Sequence, residues 1–184
     1  MTTKYTTRHL AAAGLIAAAY VTLCAAFPAL SYGPIQVRFS EVFTLLPVFS
    51  PVAIWGVGIG CMLANIYGLA VGTNIIGVWD ILFGTAATVI AAVLTYRWRD
   101  IRFRGLPVLS ALAPVLLNAL IIGAELTAVM SPTFDLRVYL FNFGSTGLGE
   151  FIACVVIGLP VVRYLERSGI ARRVFGTLTS RVSG

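Results

Sequence analysis

The chain carries seven acidic and thirteen basic side chains, and the acids are the residues with chemistry to offer. Glu41, Asp80, Glu125 and Glu150 each stand inside, or at the edge of, a long apolar stretch. Asp100 and Glu166 lie among arginines. Asp135 lies two residues before Arg137, in a loop opened by Ser131-Pro132, and these three read as solvated partners of nearby bases. A carboxylate inside lipid has to be paired, protonated or bound to something. Arg38, three residues before Glu41, is one helical turn away and is its simplest partner. No base other than Arg137 then remains for Asp80, Glu125 and Glu150. An acidic pocket short of protein cations implies a ligand that brings hydrogen-bond donors or positive charge. The amides Asn65 and Asn118 fall near the same depth, with Gln36 and Tyr32 in the segment above. The rings of Tyr32 and Trp79 are candidates for stacking on a flat ligand. Each of these residues alone also has a plainer reading as a helix-to-helix contact or an interfacial aromatic. Their convergence at one depth carries the argument.

Other chemistries lack their residues. Lys4 is the only lysine and His9 the only histidine. That excludes a phosphate-binding loop ending in Gly-Lys-Ser/Thr, His-based zinc sites and a Ser-His-Asp triad. Cys24, Cys61 and Cys154 are scattered through apolar runs and read as small buried residues, not as a disulfide framework.

The elements that position these acids must be membrane helices. Of 184 residues, 59% are hydrophobic and 11% charged, against about 25% charged in a soluble domain. The expected fold is an all-α integral membrane domain over 1–184, a bundle of six transmembrane helices with both termini cytoplasmic. Residues 1–9 form a short N-terminal tail. The basic tail 164–184 lies at the cytoplasmic lipid surface. The predicted spans, each measured against about 20 apolar residues, are 10–30, 38–49, 52–69, 78–96, 106–129 and 142–162. The first resembles the start of a signal peptide, but the run is too long and Phe27-Pro28 is a poor cleavage site. Pro47 and Pro51 break the charge-free stretch 42–79 into two. The second span is short, and charge counting tests it. With six spans, eleven bases fall inside, and only Arg38 and Arg137 outside. Without the second span the count becomes three inside and ten outside, contrary to the positive-inside rule. The net charge of +6 is thus a topology signal and not a nucleic-acid footprint.

Depth follows from the inner arginines at about 1.5 Å per helical residue. Asp80 stands roughly 26 Å up, Glu125 roughly 31 Å, Glu150 roughly 20 Å, and Asn65 and Asn118 near 21 Å, across a hydrocarbon core of about 30 Å. Glu41 opens the second span from outside. All four acids therefore occupy the outer half or the outer rim, on four different helices. No internal repeat is evident, which argues against an inverted-repeat transporter. Small residues at helical spacing in the first span, Ala13 and Ala17 with Gly14 and Ala18 beside them, allow close helix approach, either inside the bundle or to a partner.

The stretch Tyr32-Gly33-Pro34-Ile35-Gln36-Val37-Arg38-Phe39-Ser40-Glu41, with Thr44-Leu45-Leu46-Pro47 after it, resembles the QueT family. So do Gly60-Cys61-Met62-Leu63-Ala64-Asn65 and Asp80-Ile81-Leu82-Phe83-Gly84-Thr85-Ala86-Ala87-Thr88, in order and at the expected separation. The resemblance implies a substrate-binding S-component of an energy-coupling factor importer in a prokaryotic plasma membrane, not an enzyme. It implies a pocket open to the outside with the first loop as a lid, and a ligand among the queuosine precursors, chiefly 7-aminomethyl-7-deazaguanine. It also implies docking of the first helix, at Ala13 and Ala17, on a transmembrane coupling subunit that works with two ATPases. ATP is then used by the partners, and this chain needs no cofactor or metal. Glu150 and Asp80 are the expected ligand carboxylates, with Glu125 next and Glu41 held by Arg38. The alternatives are an S-component for another vitamin-like metabolite and a stand-alone proton-coupled carrier with Glu150 or Glu125 as relay. A lipid-modifying enzyme would place its acids with histidines or near the cytoplasmic face, and this chain does neither.

Overall fold

The computed structural model describes residues 7–33, 36–131 and 133–179. Within them the chain is helical, with no β-strand. In order come α1 (Thr7–Ala26), α2 (Pro28–Tyr32), a 3-10 helix (Phe39–Val48), α3 (Val52–Ala70), α4 (Val78–Arg97), α5 (Val108–Met130) and α6 (Leu136–Glu150). A π-helix (Phe151–Gly158) joins α6 to α7 (Leu159–Arg167), and α8 (Ile170–Thr179) follows. Five helices are long and apolar enough to cross a membrane: Thr7–Ala26, Val52–Ala70, Val78–Arg97, Val108–Met130 and the continuous Leu136–Arg167. Phe39–Val48 is a shorter apolar helix.

Three spans depart from the sequence reading, the first because it ends at Ala26 and a separate short helix starts at Pro28. The last helix begins at Leu136, six residues earlier than expected, because Asp135 caps it: its side chain accepts from the Arg137 amide at 2.7 Å. The second span is a 3-10 helix of ten residues. That conformation rises about 2.0 Å per residue against 1.5 Å in an α-helix, so the segment reaches about 20 Å and not about 15 Å. Pro47 inside it and Pro51 after it stop it from extending as an α-helix. Its start lies beside Asp80, through Arg38, and its end beside Phe175, through Phe49. It packs on α1, α3, α4, α5 and the π-helix, so it runs through the middle of the bundle.

Close approach of the other helices depends on small side chains. Gly56 and Gly60, one turn apart on α3, face Ala13, Ile16, Ala17 and Tyr20 of α1 so closely that a methyl group at either would collide. Gly123 of α5 meets the backbone of Phe143. Thr95 and Ser110 join α4 to α5 reciprocally, each hydroxyl donating to the other's carbonyl at 3.0 and 3.1 Å. The outside is apolar, with Leu15, Leu82, Leu116 and Leu148 all more than half exposed. The inside holds Glu41, Asn65, Asp80, Thr88, Asn142 and Glu150. That inverted arrangement suits a lipid solvent. The only arginines away from the end holding the start of α1 and the end of α4 are Arg38 and Arg137 among the described residues. Lys4 and Arg181, counted in the charge argument, lie outside the described residues.

Candidate functional site

Two buried carboxylate clusters lie in the bundle. The first joins the 3-10 helix to α6. Glu41, in the first 3-10 turn, is fully buried. One of its carboxyl oxygens accepts from the Tyr20 hydroxyl of α1 and, at 3.4 Å, from the Thr88 hydroxyl of α4. Its other oxygen has no hydrogen-bond partner among the described residues. The Glu41 carbonyl accepts from Thr44 at 2.5 Å and from the Cys154 thiol at 3.4 Å. That same thiol lies 3.7 Å from Glu150 Oε2. Glu150, at the end of α6, is 4% exposed. It faces the Asn118 amide of α5 and lies within repelling reach of Glu41. Among the described residues no guanidinium bonds to either acid.

Asn142, Thr146, Glu150 and Cys154 recur every fourth residue along the last helix, so they share one buried face. Asn142 donates to the Thr127 hydroxyl of α5 at 3.1 Å. Its carbonyl oxygen, the Asn118 carbonyl oxygen, the Thr146 hydroxyl and the Gln36 amide nitrogen are buried without partners among the described residues. An unsatisfied buried polar group costs about 1–3 kcal/mol, and such groups are rare enough to need a reason. Here several surround two acids. The segment Gln36–Val37 lies across α6 at Gly149, and a methyl there would strike the Gln36 carbonyl. A strap thus crosses the helix one residue from Glu150.

The second cluster holds an ion pair, with Asp80 Oδ1 and Asn65 Oδ1 left buried and unpartnered among the described residues. Arg38 is buried, and its Nη2 donates to Asp80 Oδ2 at 2.7 Å. Its Nε donates to the Ser31 carbonyl at 2.8 Å, and its guanidinium lies 5.5 Å from the centre of the Tyr32 ring. Asn74 donates to the same Asp80 oxygen at 2.8 Å, and Asn65 to the Asp80 carbonyl at 2.7 Å. Gly84 leaves the room that the Asp80 carboxyl occupies. This cluster ties the strap to the start of α4.

These contacts correct several sequence expectations. The partner of Arg38 is Asp80, not Glu41, because residues 36–38 are extended and Arg38 precedes the helix instead of lying one turn back on it. One carboxyl oxygen of Asp80 is consequently taken by protein and Asn65 braces its backbone, while Oδ1 is buried and unpartnered among the described residues. Tyr32 is fully buried, its hydroxyl donating to the Ala64 carbonyl at 2.6 Å and its ring packed against Gly68. Trp79 is 60% exposed and stacks on Phe83 on the bundle's outer surface, away from the cluster. With Phe83, Leu120 and Val129 it lines a groove of about 500 Å³ between α4 and α5 that the Glu125 side chain also borders. Both Glu125 oxygens are buried and unpartnered among the described residues. Ala13 and Ala17 both border an apolar groove of about 350 Å³ with Leu10, Gly14, Val52 and Ile59, Ala17 being also packed against Gly60.

Glu41, Glu150, Asn118 and Gln36 therefore come together as a candidate site. The sequence reading missed Tyr20, Thr88, Asn142, Thr146 and Cys154. The fourfold spacing from Asn142 to Cys154 was available in the sequence and marks a polar face on an otherwise apolar helix. Among the described residues no group of three or more His, Cys, Asp or Glu side chains is arranged to hold a metal ion. The arrangement is rich in acceptors, offers one open amide donor, and has no ion-paired base among the described residues, the nearby Arg38 being bonded to Asp80. A family model described as QueT transporter matches residues 10–167. Comparison with curated proteins and with solved structures gave no match.

Proposed function

Given that the chain belongs to the QueT transporter family, a family of transporters and not of enzymes, we propose that it is the substrate-binding S-component of an energy-coupling factor importer. Its proposed cargo is a 7-deazaguanine queuosine precursor, 7-aminomethyl-7-deazaguanine first among them. One observation carries this reading: two buried acids, Glu41 and Glu150, stand without an ion-pair partner among the described residues and beside unpartnered amides. A deazaguanine presents a ring N–H beside an exocyclic amine, which one carboxylate accepts in bidentate fashion. The aminomethyl arm is a cation and suits the second carboxylate. The open Asn118 and Asn142 carbonyl oxygens match ligand N–H groups, and the open Gln36 nitrogen matches the ligand carbonyl. The strap 36–38, clasped to Asp80, is the proposed lid edge.

In this reading the chain crosses a prokaryotic plasma membrane six times, the 3-10 helix being the short second crossing, with both termini in the cytoplasm. Ligand enters from outside, the strap closes, and the loaded subunit reorients on a transmembrane coupling subunit. Two partner ATPases supply the energy, and no covalent chemistry happens here. The coupling subunit docks on the α1–α3 groove at Ala13 and Ala17, with Gly14 and Ala18 as their exposed neighbours.

The test is a titration of the purified protein with the aminomethyl, cyano and full queuine bases. Submicromolar binding of the aminomethyl base is expected. Failure of all three alongside tight binding of another vitamin-like metabolite overturns the cargo. Uptake that persists without partner ATPases overturns the coupled mechanism in favour of a stand-alone proton-coupled carrier.

A further inference from the structure

Helix α8 has two unlike sides. The chain turns back after α7 at Gly169, whose φ of +72° suits glycine. Ala171 and Phe175 face the bundle and are buried. Phe175 stacks on Phe49 at 5.9 Å with an interplanar angle of 13° and joins a cluster with Ile16, Ala53, Val57 and Ala92. The other side shows Ile170 and Val174, 38% and 42% exposed and one turn apart, flanked by exposed Arg172 and Arg173.

Charge gathers around that side. Arg8, Arg163 and Arg167 are exposed at the same end of the bundle, and Arg8 donates to the Arg173 carbonyl at 3.4 Å. The one carboxylate close in sequence, Glu166, is taken by Arg102 at 2.8 Å. Among the described residues these five arginines have no carboxylate partner. Like charges so placed repel one another unless an anion lies between them. α7 ends the continuous apolar helix Leu136–Arg167, so α8 starts where that span leaves the hydrocarbon. A short helix with exposed apolar side chains between arginines, at that depth, has the composition of an interfacial helix.

We propose that α8 is a clamp for acidic phospholipid. Arg167, Arg172 and Arg173 hold phosphodiester headgroups through charge-assisted hydrogen bonds, and Ile170 and Val174 rest in the acyl boundary. Phe175 is thereby pressed under Phe49 at the end of the 3-10 helix. The full chain, in nanodiscs of phosphatidylcholine with or without phosphatidylglycerol, tests this by amide hydrogen exchange over 170–179 and by native mass spectrometry of retained lipid. Phosphatidylglycerol is expected to slow exchange in α8 and to be retained over phosphatidylcholine. Arg172→Gln with Arg173→Gln is expected to weaken that preference about fivefold per arginine removed, while Arg137→Gln at the opposite end leaves it intact. Equal protection of α8 in both lipids overturns the clamp and leaves the arginines to a protein partner with an acidic surface. A wild-type preference in the double variant overturns it as well.

Discussion

Asp80 and Glu150 are carboxylates buried to nearly the same degree in one bundle, with opposite surroundings. Asp80 is enclosed by Arg38 and Asn74 at 2.7 and 2.8 Å, with Asn65 on its backbone. Glu150 has a thiol, an amide and another acid for company. Both sites keep unpartnered acceptors, Asp80 Oδ1 and Asn65 Oδ1 in the first and Glu41 Oε2 and Asn118 Oδ1 in the second. Only the first contains an ion pair among the described residues. Burial alone therefore does not mark a ligand carboxylate in a membrane bundle. The discriminating observation is whether the protein supplies the counter-charge. The two clusters also divide the work, since the ion-paired one fixes the strap whose neighbouring residue, Gln36, overhangs the other.

The sharpest way to break this contrast is Asp80→Ala. It strands a buried guanidinium, so it is expected to cost about 3–5 kcal/mol, read as a large drop in Tm of the detergent-solubilised protein. Replacing Arg38 and Asp80 together by Met and Leu is expected to recover most of that loss. A wild-type Tm for Asp80→Ala would make the two clusters alike.

Tyr20→Phe comes next. It removes a hydrogen bond to the Glu41 carboxylate and is expected to cost about 1.5–3 kcal/mol, measured by the same unfolding assay. Glu150→Gln sharpens the contrast from the other side. Affinity for 7-aminomethyl-7-deazaguanine is expected to fall more than about tenfold, which is about 1.4 kcal/mol, with Tm unchanged. Unchanged affinity would remove Glu150 from the site. The smallest effect belongs to Trp79→Ala, on the outer surface. Stability is expected to stay within about 0.5 kcal/mol and affinity to stay as it was. A loss of affinity there would show that the aromatic groove communicates with the cluster.

The long spans were legible in the sequence because apolar length and arginine placement act at the scale of whole helices. Val52–Ala70 and Val78–Arg97 differ from the predicted 52–69 and 78–96 by one residue each. The 3-10 form of Phe39–Val48 was not legible, because it follows from prolines and packing together. Glu150 and Asn118 were legible as buried polar residues at one depth. The Arg38–Asp80 pair was not, because it spans 42 residues of chain and depends on an extended strap. Spacing along one helix cannot reveal a partner on another. The surroundings of Tyr32 and Trp79 were not legible for the same reason: an aromatic ring's depth is visible in sequence, and the direction it faces is not.

The π-helix after Glu150 has a consequence for angular phase. An α-helix turns about 100° per residue, so residues spaced by four drift about 40° per step around its axis. From Asn142 through Thr146 to Glu150 the polar face therefore swings steadily one way. The wider turn over Phe151–Gly158 rotates less per residue, so the next step, to Cys154, swings back. Cys154 thereby stays fully buried beside the acids instead of rotating toward lipid. The wide turn resets the phase of the helix, and a one-residue deletion within it would turn the arginine-bearing end by about a quarter of a revolution relative to the acid-bearing one.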